Sequence, residues 1–197
     1  MKALELQKER KLLFSTQDIA SALSIGKASA NVTASRYVKN GTLIRLKKDF
    51  YITAEKYNNL KEEELFKIAN VLQTPSYVSL VSALSFYNIT TQQQRNFVES
   101  VSYRRTKNFS VKEIQFTFSR LKKSMYEGFE LKEGFFIAIA DKAMADIVYL
   151  SSLGRYTCDF AAVDFKKINK KKVRQFLEKS NDRAISFWET LCSSYKI

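Results

Sequence analysis

Residues 14–53 read FSTQDIASALSIGKASANVTASRYVKNGTLIRLKKDFYIT, and that order leaves few folds open. Ser15 precedes a short apolar-periodic segment, and Asp18 stands three residues after it. The Ser hydroxyl can accept the backbone N–H near Asp18, and Asp18 suits the positive end of a helix dipole, so a helix is expected to start here. Ile19, Ala22 and Leu23 supply its inner face. Ser24-Ile25-Gly26 should form a turn, with Gly26 expected to take the conformation other residues resist. A longer helix over 27–39 follows, with Ala30, Ala34, Tyr37 and Val38 facing inward. Asn40-Gly41 should end it, with Gly in the cap position. Residues 42–46 and 50–53 read as two strands joined by a Lys47-Lys48-Asp49 turn. Helix, turn, longer helix and basic hairpin is the order of a winged helix-turn-helix, which seats its second helix in a DNA major groove.

The outer face of the 27–39 helix is unusual for a solvated surface. It carries Lys27, Ser29, Asn31, Thr33, Ser35 and Arg36 and lacks the Glu/Lys pairs that stabilise exposed helices. Short Ser, Thr and Asn side chains let a helix approach base edges, and Asn can bond adenine in bidentate fashion. Thr16 and Gln17, at the start of the preceding helix, join these as expected DNA contacts. Arg45, Lys47 and Lys48 on the hairpin are placed to meet phosphates or the minor groove. A polar solvated helix and an ordinary charged hairpin tip are the plainer alternatives.

Charge supports the same direction. The 197-residue chain has a net charge of +13, which favours polyanionic partners. Residues 1–60 carry 11 Lys/Arg against 5 Asp/Glu, residues 61–150 carry 12 against 10, and residues 151–197 carry 10 against 5. Both ends are therefore basic, and the balanced middle should mainly provide a core.

What is missing narrows the chemistry. There is no histidine, which removes Ser-His-Asp, Cys-His and His-metal sites. Cys158 and Cys192 have no CxxC spacing and are expected as free thiols in a reducing, cytoplasmic setting. No apolar run approaches the roughly 20 residues of a membrane span. No cofactor, metal site or enzymatic activity is expected. A nucleic-acid-processing enzyme built on the basic C-terminal segment is the reading from another class, and the lack of histidine and of clustered carboxylates weighs against it.

Residues 2–13 have helical spacing. Residues 54–73 look like a linking helix ended by Pro75, with Leu65, Ile68, Ala69 and Leu72 on one face. A short helix over 76–87 is expected next. Between 96 and 139 the period changes, with Ile114, Phe116 and Phe118 alternating and 135–139 continuously apolar. Three or four strands, mostly antiparallel, are expected there. Residues 104–107 should form a loop. Helices are then expected over 140–152, 166–179 and 181–194. The 166–179 segment is strongly basic (Lys166, Lys167, Lys170, Lys171, Lys172, Arg174) and forms a candidate second phosphate-binding surface. Asp141 and Asp146 lie about 500° of helical rotation apart and cannot share a face, whereas Lys142 and Asp146 can pair locally. That cluster should fasten the start of the helix to the sheet rather than catalyse. The overall expectation is an α+β chain: a winged helix-turn-helix over 1–54, a linking helix over 55–75, and a domain over 76–197 of helices with a mostly antiparallel sheet.

Four stretches, in order, resemble the AbiEi family of antitoxins. They are RYVKNGTLIR at 36–45, KKDFY at 47–51, PSYVSLVSALSFY at 75–87 and ADKAMAD at 140–146. The third is the most specific. Asp49 stands where the family's wing has Gly, and Asp141 replaces its usual Glu. The resemblance implies a repressor that binds its own promoter through the N-terminal winged helix. It also implies a C-terminal domain that neutralises a toxin resembling a nucleotidyltransferase, the type IV toxin–antitoxin arrangement of abortive phage infection. A stand-alone winged-helix regulator without a toxin is the alternative.

Overall fold

Ser15 fixes where the first described helix begins. Its hydroxyl accepts from the Asp18 N–H at 3.1 Å, and the Asp18 carboxylate accepts the Ser15 N–H at 2.8 Å. The expected Ser15 cap bond is present, and the reciprocal Asp18 bond completes a capping box. The computed structural model describes residues 11–92 and 94–196. Residues 2–10 of the helix expected over 2–13 lie outside them, and 11–13 are not helical. The chain divides into two compact units, 1–68 and 69–197.

The first unit contains β1 (Phe14–Ser15), α1 (Thr16–Ala22), α2 (Lys27–Lys39), β2 (Leu43–Lys47), β3 (Phe50–Thr53) and α3 (Ala54–Asn58). Its three strands run in the order β1-β3-β2, all antiparallel. Phe14, Ile19, Leu23, Ala30, Ala34, Tyr37, Leu43 and Tyr51 form one buried cluster, which packs both helices on the hairpin. The turn between α1 and α2 departs from expectation. Ser24 takes the left-handed backbone conformation (φ 50°), whereas Gly26 is extended (φ −64°) and simply precedes α2. Gly41 does occupy the left-handed region after α2, at φ 78°.

The division falls inside α4 (Glu62–Leu72). The expected linking helix is two helices, α3 and α4, interrupted at 59–61, where the Glu64 carboxylate accepts the Lys61 N–H. Phe66 is the buried aromatic of α4, and Leu65 is only half-buried.

The second unit is built on six strands: β4 (Tyr77–Val78), β5 (Phe97–Ser102), β6 (Lys107–Val111), β7 (Ile114–Arg120), β8 (Phe129–Lys132) and β9 (Phe135–Ala138). Their order is β6-β7-β5-β4-β9-β8. The β6–β7, β5–β4 and β9–β8 pairs are antiparallel, while β5–β7 and β4–β9 are parallel. Antiparallel pairing thus holds only a narrow majority. The expected 76–87 helix is shorter, because Tyr77 and Val78 pair into the sheet and α5 spans Leu80–Phe86. Around the sheet lie α6 (Ala140–Ser152), α7 (Lys170–Leu177) and α8 (Asp182–Tyr195).

The α6 helix is buried from Asp141 through Leu150 and packs against α5, α7 and α8. Lys142 pairs with Asp146, both with fully buried side chains. The other Asp146 oxygen accepts from Tyr77 Oη at 3.1 Å and Ser79 Oγ at 2.8 Å, so this carboxylate ties α6 to β4 and the residue after it. Asp141 faces elsewhere and accepts the Asn169 N–H at 2.8 Å, just before α7. Gly128 (φ 70°) lets the chain pass: an added Cβ there would lie 2.8 Å from the Phe176 ring and 3.0 Å from Lys142.

Candidate nucleic-acid interface

The outward face of α2 follows from which side it buries. Ala30, Ala34 and Tyr37 are its core residues. At about 100° per residue, Ala28, Val32, Ser35 and Lys39 lie opposite them, with Arg36 alongside. Ser29 and Asn31 flank this line, while Lys27 and Thr33 sit nearer the buried side. Exposure agrees: Lys27, Ala28, Ser29, Asn31, Val32, Ser35, Arg36 and Lys39 are exposed, and Thr33 is half-buried. Sequence reading missed Ala28 and Val32 because it sought polar side chains, and missed Lys39 because it did not measure rotation from the buried alanines.

No acidic residue stands on α2, and its first turn has neither a carboxylate nor a capping side chain. Its free N–H groups therefore face outward with the positive end of the dipole. The Ser35 hydroxyl donates to the Asn31 carbonyl at 3.0 Å. The Arg36 guanidinium lies 5.9 Å from the Tyr37 ring centroid, within reach of a cation–π contact.

The hairpin β2–β3 carries the remaining cations. The pairing register shifts between Arg45 and Lys47, and Leu46 between them is buried. Arg45 and Lys48 are exposed, and Lys47 is half-buried with its ammonium 4.8 Å from the Phe50 ring centroid. Arg45 Nε donates to the Lys47 carbonyl at 3.4 Å, which turns the guanidinium along the strand.

Thr16 does not belong to this surface. It is 2 % exposed, and its hydroxyl donates to Asp49 Oδ1 at 3.0 Å. Gln17, its neighbour, is exposed. The bond gives Asp49 a physical role. Asp49 sits at φ 62° in the two-residue hairpin turn, a left-handed conformation that Asp tolerates and Gly adopts freely. Its carboxylate holds the turn against the start of α1. Asp18, beside Lys11, has its carboxyl held down at about 2: burial alone would raise it, but bonds from Lys11 and Ser15 outweigh that penalty.

The second basic segment is less concentrated than its sequence suggests. Lys166 and Lys167 lie in a single 3-10 turn rather than in a 166–179 helix, and α7 starts only at Lys170 behind an Asn169 cap. Lys167 Nζ donates to the Asn88 carbonyl at 2.8 Å, Arg174 pairs with Glu189 at 2.7 Å, and Lys172 stands 3.9 Å from Asp141. Lys166 and Lys171 are exposed. Lys170, Lys171 and Lys172 occupy the first turn of α7, where the dipole disfavours cations.

Among the described residues no group of His, Cys, Asp and Glu could hold a metal ion, and no helix is long and apolar enough to cross a membrane. Cys158 and Cys192 are free thiols.

No protein-family model matches the chain, and no curated protein matches it in sequence. In structure it is similar to the RV2827C protein from Mycobacterium tuberculosis, with a TM-score of 0.64 at 8 % identity. That likeness covers 98 % of this chain and 75 % of the other. At such low identity it speaks for the shared α+β fold alone.

Proposed function

We propose that this protein is a sequence-specific DNA-binding repressor whose first unit is a winged helix-turn-helix. The observation that carries the reading is the outward face of α2: exposed, free of carboxylates, and made of small or hydrogen-bonding side chains around Val32, with Arg36 and Lys39 toward its end. Such a face can enter a major groove without repelling phosphates. In this reading α2 meets base edges through Asn31, Ser35 and Arg36, with Ser29 and Lys27 toward the flanks. Arg45, Lys47 and Lys48 hold the backbone beside the groove. Repression is steric, by occupying the promoter, and needs no catalysis or cofactor.

The AbiEi resemblance extends the proposal to a second role, that of a cytoplasmic antitoxin against a nucleotidyltransferase-like toxin. A toxin gene adjacent to this one, and rescue of growth on co-expression, would support that role. Rescue that fails would leave a regulator acting alone.

Fluorescence anisotropy tests the DNA reading directly. The protein is expected to prefer the duplex upstream of its own gene over a scrambled one, and to keep that preference as salt rises. Arg36→Ala should weaken specific binding by about 1–3 kcal/mol if Arg36 reads guanine. Equal, salt-sensitive binding to both duplexes would mean that net charge alone is acting, and would overturn the proposal.

A further inference from the structure

Val32 is 70 % exposed, the most exposed of the chain's large apolar side chains among the described residues. Single exposed apolar residues are ordinary on protein surfaces. The placement of this one is not. It stands on the line directly opposite the Ala30–Ala34–Tyr37 core of α2. A β-branched residue at an exposed position in mid-helix weakens the helix slightly relative to Ala, Lys or Glu, so helix formation gives no reason for it. Nothing in the core requires it either.

Its neighbours make the spot more apolar. Ala28, one turn before, offers only a methyl group. Ser35, one turn after, has already spent its proton on the Asn31 carbonyl. The crest from Ala28 to Val32 is therefore apolar, ahead of Ser35 and Lys39, and lies between hydrogen-bonding flanks, Asn31 on one side and Ser29 with Arg36 on the other. In a major groove one feature of the bases is apolar, the 5-methyl group of thymine, and aliphatic side chains contact it.

We infer that Val32 reads a thymine methyl group, making a T·A pair at the centre of the contacted sequence a determinant of specificity. The inference rests on α2 being the DNA-reading helix. Asn31 and Arg36 then fix the flanking bases by hydrogen bonds, and Val32 rejects cytosine at the central position because cytosine has no methyl group to bury.

The test uses the full chain. A duplex is selected from a randomised pool, and each thymine in it is replaced singly by deoxyuridine, which removes only the methyl group. Affinities are measured at one salt concentration for the native protein and for Val32→Ala. One central replacement should weaken native binding about fourfold, the equivalent of one buried methyl-sized group, and should leave Val32→Ala indifferent. The melting temperature of Val32→Ala should match or slightly exceed that of the native protein, since the side chain is exposed and Ala is the better helix former. Deoxyuridine replacements that affect both proteins alike, or neither, would overturn the assignment of Val32 while leaving α2 as the reading helix. A pool that yields no preferred duplex would overturn both.

Discussion

Glu99 is 4 % exposed in the middle of the second unit's sheet. Its carboxylate accepts from Gln94 Nε2 at 2.7 Å and from Tyr156 Oη at 3.0 Å. Burial is the largest influence and pushes its carboxyl above the usual glutamate range, while these bonds and those from the Val81 and Ser82 peptide groups pull it back. With the folded value raised, the folded protein keeps this proton after the unfolded chain has lost it. The contribution to stability is then full below the ordinary glutamate range and is lost as pH rises through the raised value. Melting temperatures across mildly acidic pH should fall more steeply for the native protein than for Glu99→Gln, which does not titrate. Parallel curves would remove Glu99 as the cause. The nearby Cys158 thiol, pushed up to about 12 chiefly by burial, does not titrate in that range.

At the scale of elements, the decisive bond is one that joins two of them. Asp146 connects α6 to the Tyr77–Ser79 segment while neutralising Lys142. Asp146→Asn would leave a buried ammonium without its counter-ion, and such losses amount to about 3–5 kcal/mol. Ser79→Ala removes a single neutral-to-charged bond and should cost about 1.5–3 kcal/mol. Urea unfolding of the two variants checks both the magnitudes and their order. This fastening was legible in the residues, because Lys142 and Asp146 have the i, i+4 spacing of a pair and Asp141 falls on another face. So were the Ser15 cap, the full span of α2, and the alternation that makes β7. Other elements carried no such signal. β4 is two residues long and owes its state to neighbours about 20 and 60 residues away. β6 and β8 are edge strands with half-exposed or exposed side chains along most of their length, so their hydrophobic pattern is weak. The left-handed residue of the α1–α2 turn was assigned to glycine by propensity, and local geometry placed it on Ser24 instead. Thr16 looked like a surface residue because its partner, Asp49, is 33 positions away.

For the whole molecule the question is how the net charge of +13 is deployed. No carboxylate stands on α2 beside Lys27, Arg36 and Lys39, and in the hairpin turn Asp49 is turned to Thr16. On the C-terminal segment Lys167, Lys172 and Arg174 each have an oxygen partner. If that segment also touches phosphate, replacing Lys166 and Lys171 together by glutamine should lower the slope of log affinity against log salt by about 2. An unchanged slope would rule out Lys166 and Lys171 as phosphate contacts.

Asn70 carries one more consequence. Its side-chain amide accepts the Phe136 N–H and donates to the Phe136 carbonyl on β9, level with the start of β4, which pairs Val78 with the next residue, Ile137. One asparagine thereby serves as a single missing peptide of a neighbouring strand. The site it covers lies beside Phe136 and its cross-strand partner Leu131, which are 44 % and 65 % exposed. Open backbone next to uncovered apolar side chains is the combination from which sheets recruit further chains. Asn70 fills that backbone position with its side chain, although it adds nothing to the core of the sheet.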